Sequence, residues 1–347
     1  MGTTCTLWDR RAAARLVLGA ALVPGLAAGA KAAAIAETAY VPLGGLEQWI
    51  DIQGEDRANP VILVVHGGPG EAQWPQADKY APWQKAFTIV QWDQRGASHT
   101  YGHSGGENTP DVSLKRIAAD GVELADYLCR HLNKKKIIVL GHSFGSIVAV
   151  TMVQVRPDLF AAYVGSGQVE SWKASVQSQF DVLLAKARTD KDAAIVKELE
   201  AIGTPNPTDT HQYFTFSRNL FSVWPKADQD WVAHLREQAK AHAGEKDFAD
   251  HRAGQILVGN KVLPDQVATD LAQSARRIGT AFFVIQGQGD VITPTAAARD
   301  YFDRVEAPQK EWVAIPGAGH FAFMTHGDAF LAALTDKVRP VAIARGA

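Results

Sequence analysis

The stretch Lys136-Ile137-Ile138-Val139-Leu140-Gly141-His142-Ser143-Phe144-Gly145-Ser146-Ile147-Val148-Ala149-Val150 decides the fold. It opens as a β-branched strand, passes through Gly-x-Ser-x-Gly, and continues as an apolar helix. A strand-to-helix turn this tight needs small residues at Gly141 and Gly145, where a Cβ would clash. The turn lifts the Ser143 hydroxyl above the strand end. The following helix aims its N-terminal partial positive charge at the same point, where it favours a developing oxyanion. The stretch therefore predicts a serine nucleophile at the C-terminal edge of a sheet.

The pattern alone is not enough, because Gly102-His103-Ser104-Gly105-Gly106 fits it too. That copy follows Gln94-Arg95-Gly96-Ala97-Ser98-His99-Thr100-Tyr101, which has no apolar run, and leads into the turn residues Glu107-Asn108-Thr109-Pro110. Context selects Ser143 over Ser104.

Working outward, Glu47–Gly54 alternates like an antiparallel strand, while Pro60–Val65, Phe87–Trp92, Ala161–Val164 and Thr280–Gln286 are continuous apolar runs, as strands covered on both faces should be. Helical patterns around Gln76–Lys85, over Ser113–Leu132, at Ala296–Arg304 and from about Asp328 fall between or after them, and Lys310–Ile315 reads as a last strand. Strands alternating with helices imply an α/β fold with a mostly parallel sheet and helices on both faces. Residues 171–277 break the alternation with Ala-, Lys-, Glu- and Gln-rich helices, and are expected to cap the sheet's C-terminal edge, where open α/β sheets bind ligands. The expected layout is 1–36 leader, 37–170 first core part, 171–277 helical cap and 278–347 second core part.

A serine nucleophile needs a base, and the base an orienting carboxylate, in the chain order serine, acid, histidine for this kind of turn. Asp290 follows the Phe282–Gln286 strand and His320 follows the Trp312–Ile315 strand, both at the edge that carries Ser143. His142 adjoins the nucleophile and is poorly placed to reach its hydroxyl; His326 is expected to begin the last helix. Two backbone N–H donors are needed for the oxyanion. Phe144 should supply one, and His66-Gly67-Gly68-Pro69-Gly70 the other, with Gly68 favoured over Gly67.

The composition, 46% apolar and 21% charged with net charge −2, is that of an ordinary globule. No basic block favours nucleic acid or an anionic membrane. Arg10, Arg11 and Arg15 precede the apolar run Leu16–Ala28 and small-x-small sites at Ala28-Gly29-Ala30 and Ala34-Ile35-Ala36, the layout of a bacterial export signal, with a weak twin-arginine hint. The run is too short and Gly-rich for a good membrane anchor, so a periplasmic or secreted chain without stable membrane insertion is expected. Cys5 falls in the leader, which leaves Cys129 without a disulfide partner and, in a helical pattern, as a packed thiol. His99 and His103 lack further ligands at suitable spacing, and neither metal nor cofactor is expected.

His66-Gly67-Gly68-Pro69-Gly70, Trp92-Asp93-Gln94-Arg95-Gly96-Ala97-Ser98, Gly141–Ser146 and Gly289-Asp290-Val291-Ile292-Thr293-Pro294 together resemble the prolyl aminopeptidase (proline iminopeptidase) family of α/β-hydrolases, from about Val41 to the C-terminus. The resemblance implies an α/β-hydrolase fold and an exopeptidase that releases an N-terminal residue, often proline, through an acyl-enzyme, with Asp93 and Arg95 bracing the site. Two features depart from the family. Phe144 stands where members have Trp. Members also hold the substrate's amine with cap glutamates, one in Trp-x-x-Trp-Glu, whereas Phe221-Ser222-Val223-Trp224-Pro225-Lys226 has none. Glu170, Glu198 and Glu200 are the candidates to replace them, against the plainer reading of each as an exposed helix charge, and Glu170 and Trp224 are taken as candidate substrate contacts. Three readings follow: a serine aminopeptidase on short peptides, a capped esterase, lactonase or amidase taking an uncharged acyl group, or a binding module on a dead hydrolase fold. The complete set Ser143, Asp290 and His320 argues against the third.

Overall fold

The computed structural model describes residues 33–206, 209, 212, 216–217 and 219–347. Eight strands form one sheet: β1 (Ile35–Leu43), β2 (Leu46–Gly54), β3 (Val61–Val65), β4 (Thr88–Trp92), β5 (Ile137–His142), β6 (Phe160–Ser166), β7 (Ala281–Gly287) and β8 (Lys310–Ile315), in the order β1-β2-β4-β3-β5-β6-β7-β8. β1 and β2 pair antiparallel and β2 joins β4 antiparallel; every other pairing is parallel.

The continuous apolar runs are explained by the two layers they serve. In β3, Val61, Leu63 and Val65 enter one core while Ile62 and Val64 enter the other, and in β5 Ile137 and Val139 divide from Ile138 and Leu140 in the same way. A parallel strand between two helical layers has no solvent face, so neither parity can be polar. One layer is built on helices Leu114–His131 and Phe144–Val155; the other includes Trp83, Phe323 and Phe330. Each fully buried large apolar side chain contributes roughly 1.5–3 kcal/mol in favour of folding, so these two layers supply the main favourable term.

Three expectations change. The Ser98–His103 segment, which the sequence does not mark as an element, is a short helix. It lacks an apolar run of its own and is held by tertiary bonds, with the His99 N–H donating to Asp93 Oδ2 (3.0 Å) and the Trp49 N–H to Thr100 Oγ1 (2.9 Å). The helix around Gln76–Lys85 is a 3₁₀ segment, Trp74–Lys85, interrupted by Pro82 and a non-helical Gln76. β1 also begins at Ile35, inside the expected leader.

Between β6 and β7 lie only helices among the described residues, including Trp172–Thr189, Ala193–Ile202, Lys226–Ala241 and Lys246–Ala268. This block has its own small core of Phe180, Leu183, Leu199, Phe216 and Leu220, while Leu257, Val258 and Val262 anchor it to the main core. The strand order reverses between β3 and β5, so the loops leaving their C-terminal ends diverge and open a crevice there.

Candidate active site

Ser143 directly follows β5 and caps the next helix with φ +54° and ψ −124°, a conformation non-glycine residues rarely hold and one that costs on the order of 1–3 kcal/mol. The surroundings over-determine it. Its N–H donates to Ser166 O (2.9 Å), and its carbonyl accepts from the Ser146 N–H (2.8 Å) and Ser146 Oγ (2.7 Å). Ser146 Oγ in turn accepts from the Val169 N–H at 3.1 Å. A Cβ on Gly145 would overlap the Val65 and His66 carbonyl oxygens, so glycine there is a packing requirement. The Phe144 N–H, first of its helix, has no intrahelical acceptor.

Asp290 and His320 meet beside it. Asp290 Oδ1 accepts from the Ile292 and Thr293 N–H groups (2.9 and 3.0 Å), and Oδ2 from Gln286 Nε2 and Thr293 Oγ1 (both 2.8 Å). The remaining bond to Oδ2 comes from His320 Nδ1 at 3.0 Å. A carboxylate only accepts, so Nδ1 carries the proton and Nε2 keeps its lone pair. Burial pushes the imidazolium toward losing its proton, but Asp290, Asp228 and Glu71 outweigh it and leave the His320 pKa raised. Ser143 and His320 line one cavity of about 190 Å³ with Gly67 and Gly68. No hydrogen bond within 3.5 Å joins His320 to Ser143 Oγ among the described residues; such bonds are often long before substrate binds.

The loop after β3 forms the opposite wall. His66, 1% exposed, accepts the Gln94 N–H at Nε2 (3.3 Å), which leaves Nδ1 as donor to Gly67 O (3.1 Å). Burial lowers its pKa to about 4, so it is neutral. Gly67 packs on Ser143, and Gly68 takes φ +106°, a left-handed conformation that turns the loop toward the crevice. His142 is also neutral, its pKa far below the usual value through burial and the His320 charge; its Nδ1 donates to Ser166 O (3.2 Å).

Asp228, which the sequence did not single out, reaches in from helix Lys226–Ala241. Its Oδ2 accepts the His320 N–H at 2.6 Å, and the residue is 1% exposed. Gln179, on helix Trp172–Thr189, donates to Ile292 O beside Asp290. The helical block thus holds both loops that carry the acid and the base.

The other singled-out residues are placed as follows. Trp224 lines a second cavity of about 660 Å³ that shares Glu71, Gln76, Leu235 and Phe321 with the first. Glu170 lines neither; it is buried against helix Thr295–Arg304, 3.5 Å from Arg304, because its strand end faces that helix rather than the crevice. Glu200 pairs with Arg188 (2.9 Å), and Glu198 shares its helix away from both cavities. Ser104 Oγ donates to Glu47 O (3.0 Å) on the surface, remote from the acid and base. Arg95 is buried on Asp120 (2.7 Å), and Asp93 on His99 (2.7 Å), as bracing groups. His103 bonds Glu47 (2.9 Å), and His326 caps helix Gly327–Ala333. Cys129 is buried, its thiol pKa pushed up to about 11 by burial.

A serine on a strained strand-to-helix turn after β5, with an acid after β7 and a histidine after β8 at the same edge of a mostly parallel sheet, defines a class, and residues 60–327 match it: the chain belongs to the alpha/beta hydrolase fold family. Within that class it is similar to a probable aminopeptidase, YbaC, of Bacillus subtilis, with 25% identity over 307 residues that cover 86% of this chain and 94% of the relative. It is also 22% identical to a proline iminopeptidase of Lactobacillus helveticus over 304 residues, covering 85% and 95%. In three dimensions it matches the proline iminopeptidase of Mycobacterium smegmatis with a TM-score of 0.62 at 17% identity, over 89% of this chain and 99% of that one. The protein is a hydrolase that resembles the proline iminopeptidases, as its motifs lead one to expect.

Proposed function

We propose that the protein is a serine aminopeptidase of the proline iminopeptidase type, releasing the N-terminal residue of short peptides through an acyl-enzyme. The observation that carries this is the Asp290–His320 pair, with its Nδ1 donor bond, opening into the same cavity as Ser143. His320 Nε2 takes the Ser143 proton as Oγ attacks the carbonyl carbon. The Phe144 and Gly68 N–H groups receive the oxyanion. His320 then gives the proton to the leaving amine, and in the second half takes one from water, which attacks the ester carbon and frees Ser143. The relatives' names support the peptidase reading. The leader supports export to the periplasm or medium.

A specific observation favours a second reading, a capped esterase, lactonase or amidase. Among the described residues, the helical block lends Trp231 and Leu235 to the inner cavity and no carboxylate, which suits an uncharged acyl group. Hydrolysis of proline p-nitroanilide and of its N-acetylated twin, with Ser143→Ala as blank, separates the two. Turnover of the free-amine compound alone supports the aminopeptidase. Turnover of the blocked compound, or of p-nitrophenyl esters only, supports the second reading.

A further inference from the structure

The inner cavity has an uneven charge pattern. Of its described lining residues, Glu71 is the one carboxylate, and none is a lysine or arginine. The rest of the wall is histidine, glutamine, glycine, the nucleophile and apolar side chains such as Trp231, Ile292 and Phe323. Glu71 follows directly on the glycine-rich loop. Its N–H donates to Gly67 O (3.1 Å), closing the turn, and its Cβ stands 2.9 Å from where a Gly68 side chain would begin. The carboxylate is therefore rooted beside the Gly68 N–H.

No cation lies within 4.0 Å of that carboxylate, and no side-chain hydrogen bond holds it, among the described residues. The enclosed acids near the site are all engaged: Asp290 with His320, Asp228 with the His320 backbone, Asp93 with His99. Glu71 also lines the outer cavity, so it stands where the two chambers join. Glu71 is half-buried at the wall of the cavity, and a carboxylate that has lost part of its hydration without gaining a partner is completed by a cation. Burial accordingly raises its pKa, against the opposing pull of His320.

We propose that Glu71, from the core loop and not from the helical block, is the specificity-determining anchor for a protonated amine on the substrate's acyl portion, next to the scissile carbonyl. This rests on the aminopeptidase reading and supplies a carboxylate that no described residue of the helical block brings to the inner cavity. An anion rooted beside the oxyanion donor fits a cation one or two bonds from the carbonyl carbon, the position of an α-amino group. The apolar wall around it takes the side chain or ring. A charge-assisted contact of this kind discriminates against a neutral, acylated nitrogen by about 10- to 100-fold.

The test compares kcat/KM for proline p-nitroanilide and its N-acetyl twin in the wild type, Glu71→Gln and Glu71→Asp. The expected result is a free-amine preference that falls at least about 10-fold in E71Q, mainly through KM, and partly survives in E71D. In the wild type the preference also declines as pH falls and Glu71 takes a proton, and E71Q lacks that dependence. A preference unchanged in E71Q overturns the assignment and leaves the aminopeptidase reading standing. If the wild type shows no preference, that reading fails, and inhibition of p-nitrophenyl acetate hydrolysis by pyrrolidinium decides Glu71 separately. Competitive inhibition weakened about 10-fold or more in E71Q supports a cation site there; equal inhibition in both overturns it.

Discussion

Removing Asp228 should damage the base although Asp228 touches no substrate. Its Oδ2 accepts the His320 N–H at 2.6 Å, a bond between residues 92 apart in sequence that fixes the loop between β8 and the imidazole. A hydrogen bond to a charged acceptor contributes about 1.5–3 kcal/mol, and truncation also leaves the His320 amide buried and unpaired. Asp228→Ala should therefore cost about 2 kcal/mol of stability and, through a loosened His320, about 10- to 100-fold in kcat/KM. Asp228→Asn separates geometry from charge. Its side-chain oxygen still accepts the N–H, while the carboxylate that burial renders costly, with Oδ1 unpartnered, is gone. Stability should hold or rise. The Asp228 charge favours the His320 imidazolium, so its loss lowers the His320 pKa and moves the acid limb of the kcat/KM profile to lower pH. Urea denaturation with pH–rate profiles of both variants is the assay. Wild-type rate and stability in Asp228→Ala, or an acid limb displaced upward in Asp228→Asn, would refute the reasoning.

Further outcomes follow from other parts of the site. Ser143→Ala should lose on the order of 10⁴-fold or more in kcat, whereas Ser104→Ala should leave kcat/KM within about twofold, measured on the same anilide or ester; equal losses would contradict the choice of nucleophile. His66 stays neutral in the fold down to about pH 4 but takes a proton near 6.5 when unfolded, so unfolding binds protons between those values. Its contribution is full above about pH 6.5 and falls by about 3 kcal/mol as pH drops to 4, and His66→Asn should flatten that part of a urea-midpoint-against-pH curve. On the proposed export reading, processing should cut after Ala30 and not after Ala36, since the later cut removes Ile35, 3% exposed and paired with Gly54, from β1; N-terminal sequencing of protein recovered from the periplasm or medium reads the site, and absence of the protein there overturns the export reading.

The central sheet was legible because β3, β5 and β7 are buried on both faces and so read as continuous apolar runs, with the polar His142 and Gln286 confined to the C-terminal ends of β5 and β7. The triad candidates were legible because each sits at a strand end marked by glycine. β1 was not, since it is an edge strand with alternate residues exposed and its start overlaps the alanine-rich segment that reads as a leader. Glu170 drew attention by its place after β6, yet which wall that strand end faces is a tertiary fact. Asp228 sits in a helix whose pattern gives no hint that it docks on His320. Glu71 stands directly after the glycine loop, but nothing in the sequence marks it apart from any exposed glutamate, and only the folded cavity brings its carboxylate beside the nucleophile with no partner among the described residues.

The central claim is that Ser143 is the nucleophile of a working serine hydrolase. Reaction of the purified protein with a fluorophosphonate, followed by peptide mapping in a mass spectrometer, tests it most directly. The account predicts one adduct, on the peptide that contains Ser143, absent in Ser143→Ala and strongly slowed in His320→Ala. An adduct on Ser104, or no adduct on protein that hydrolyses its substrate, would contradict it.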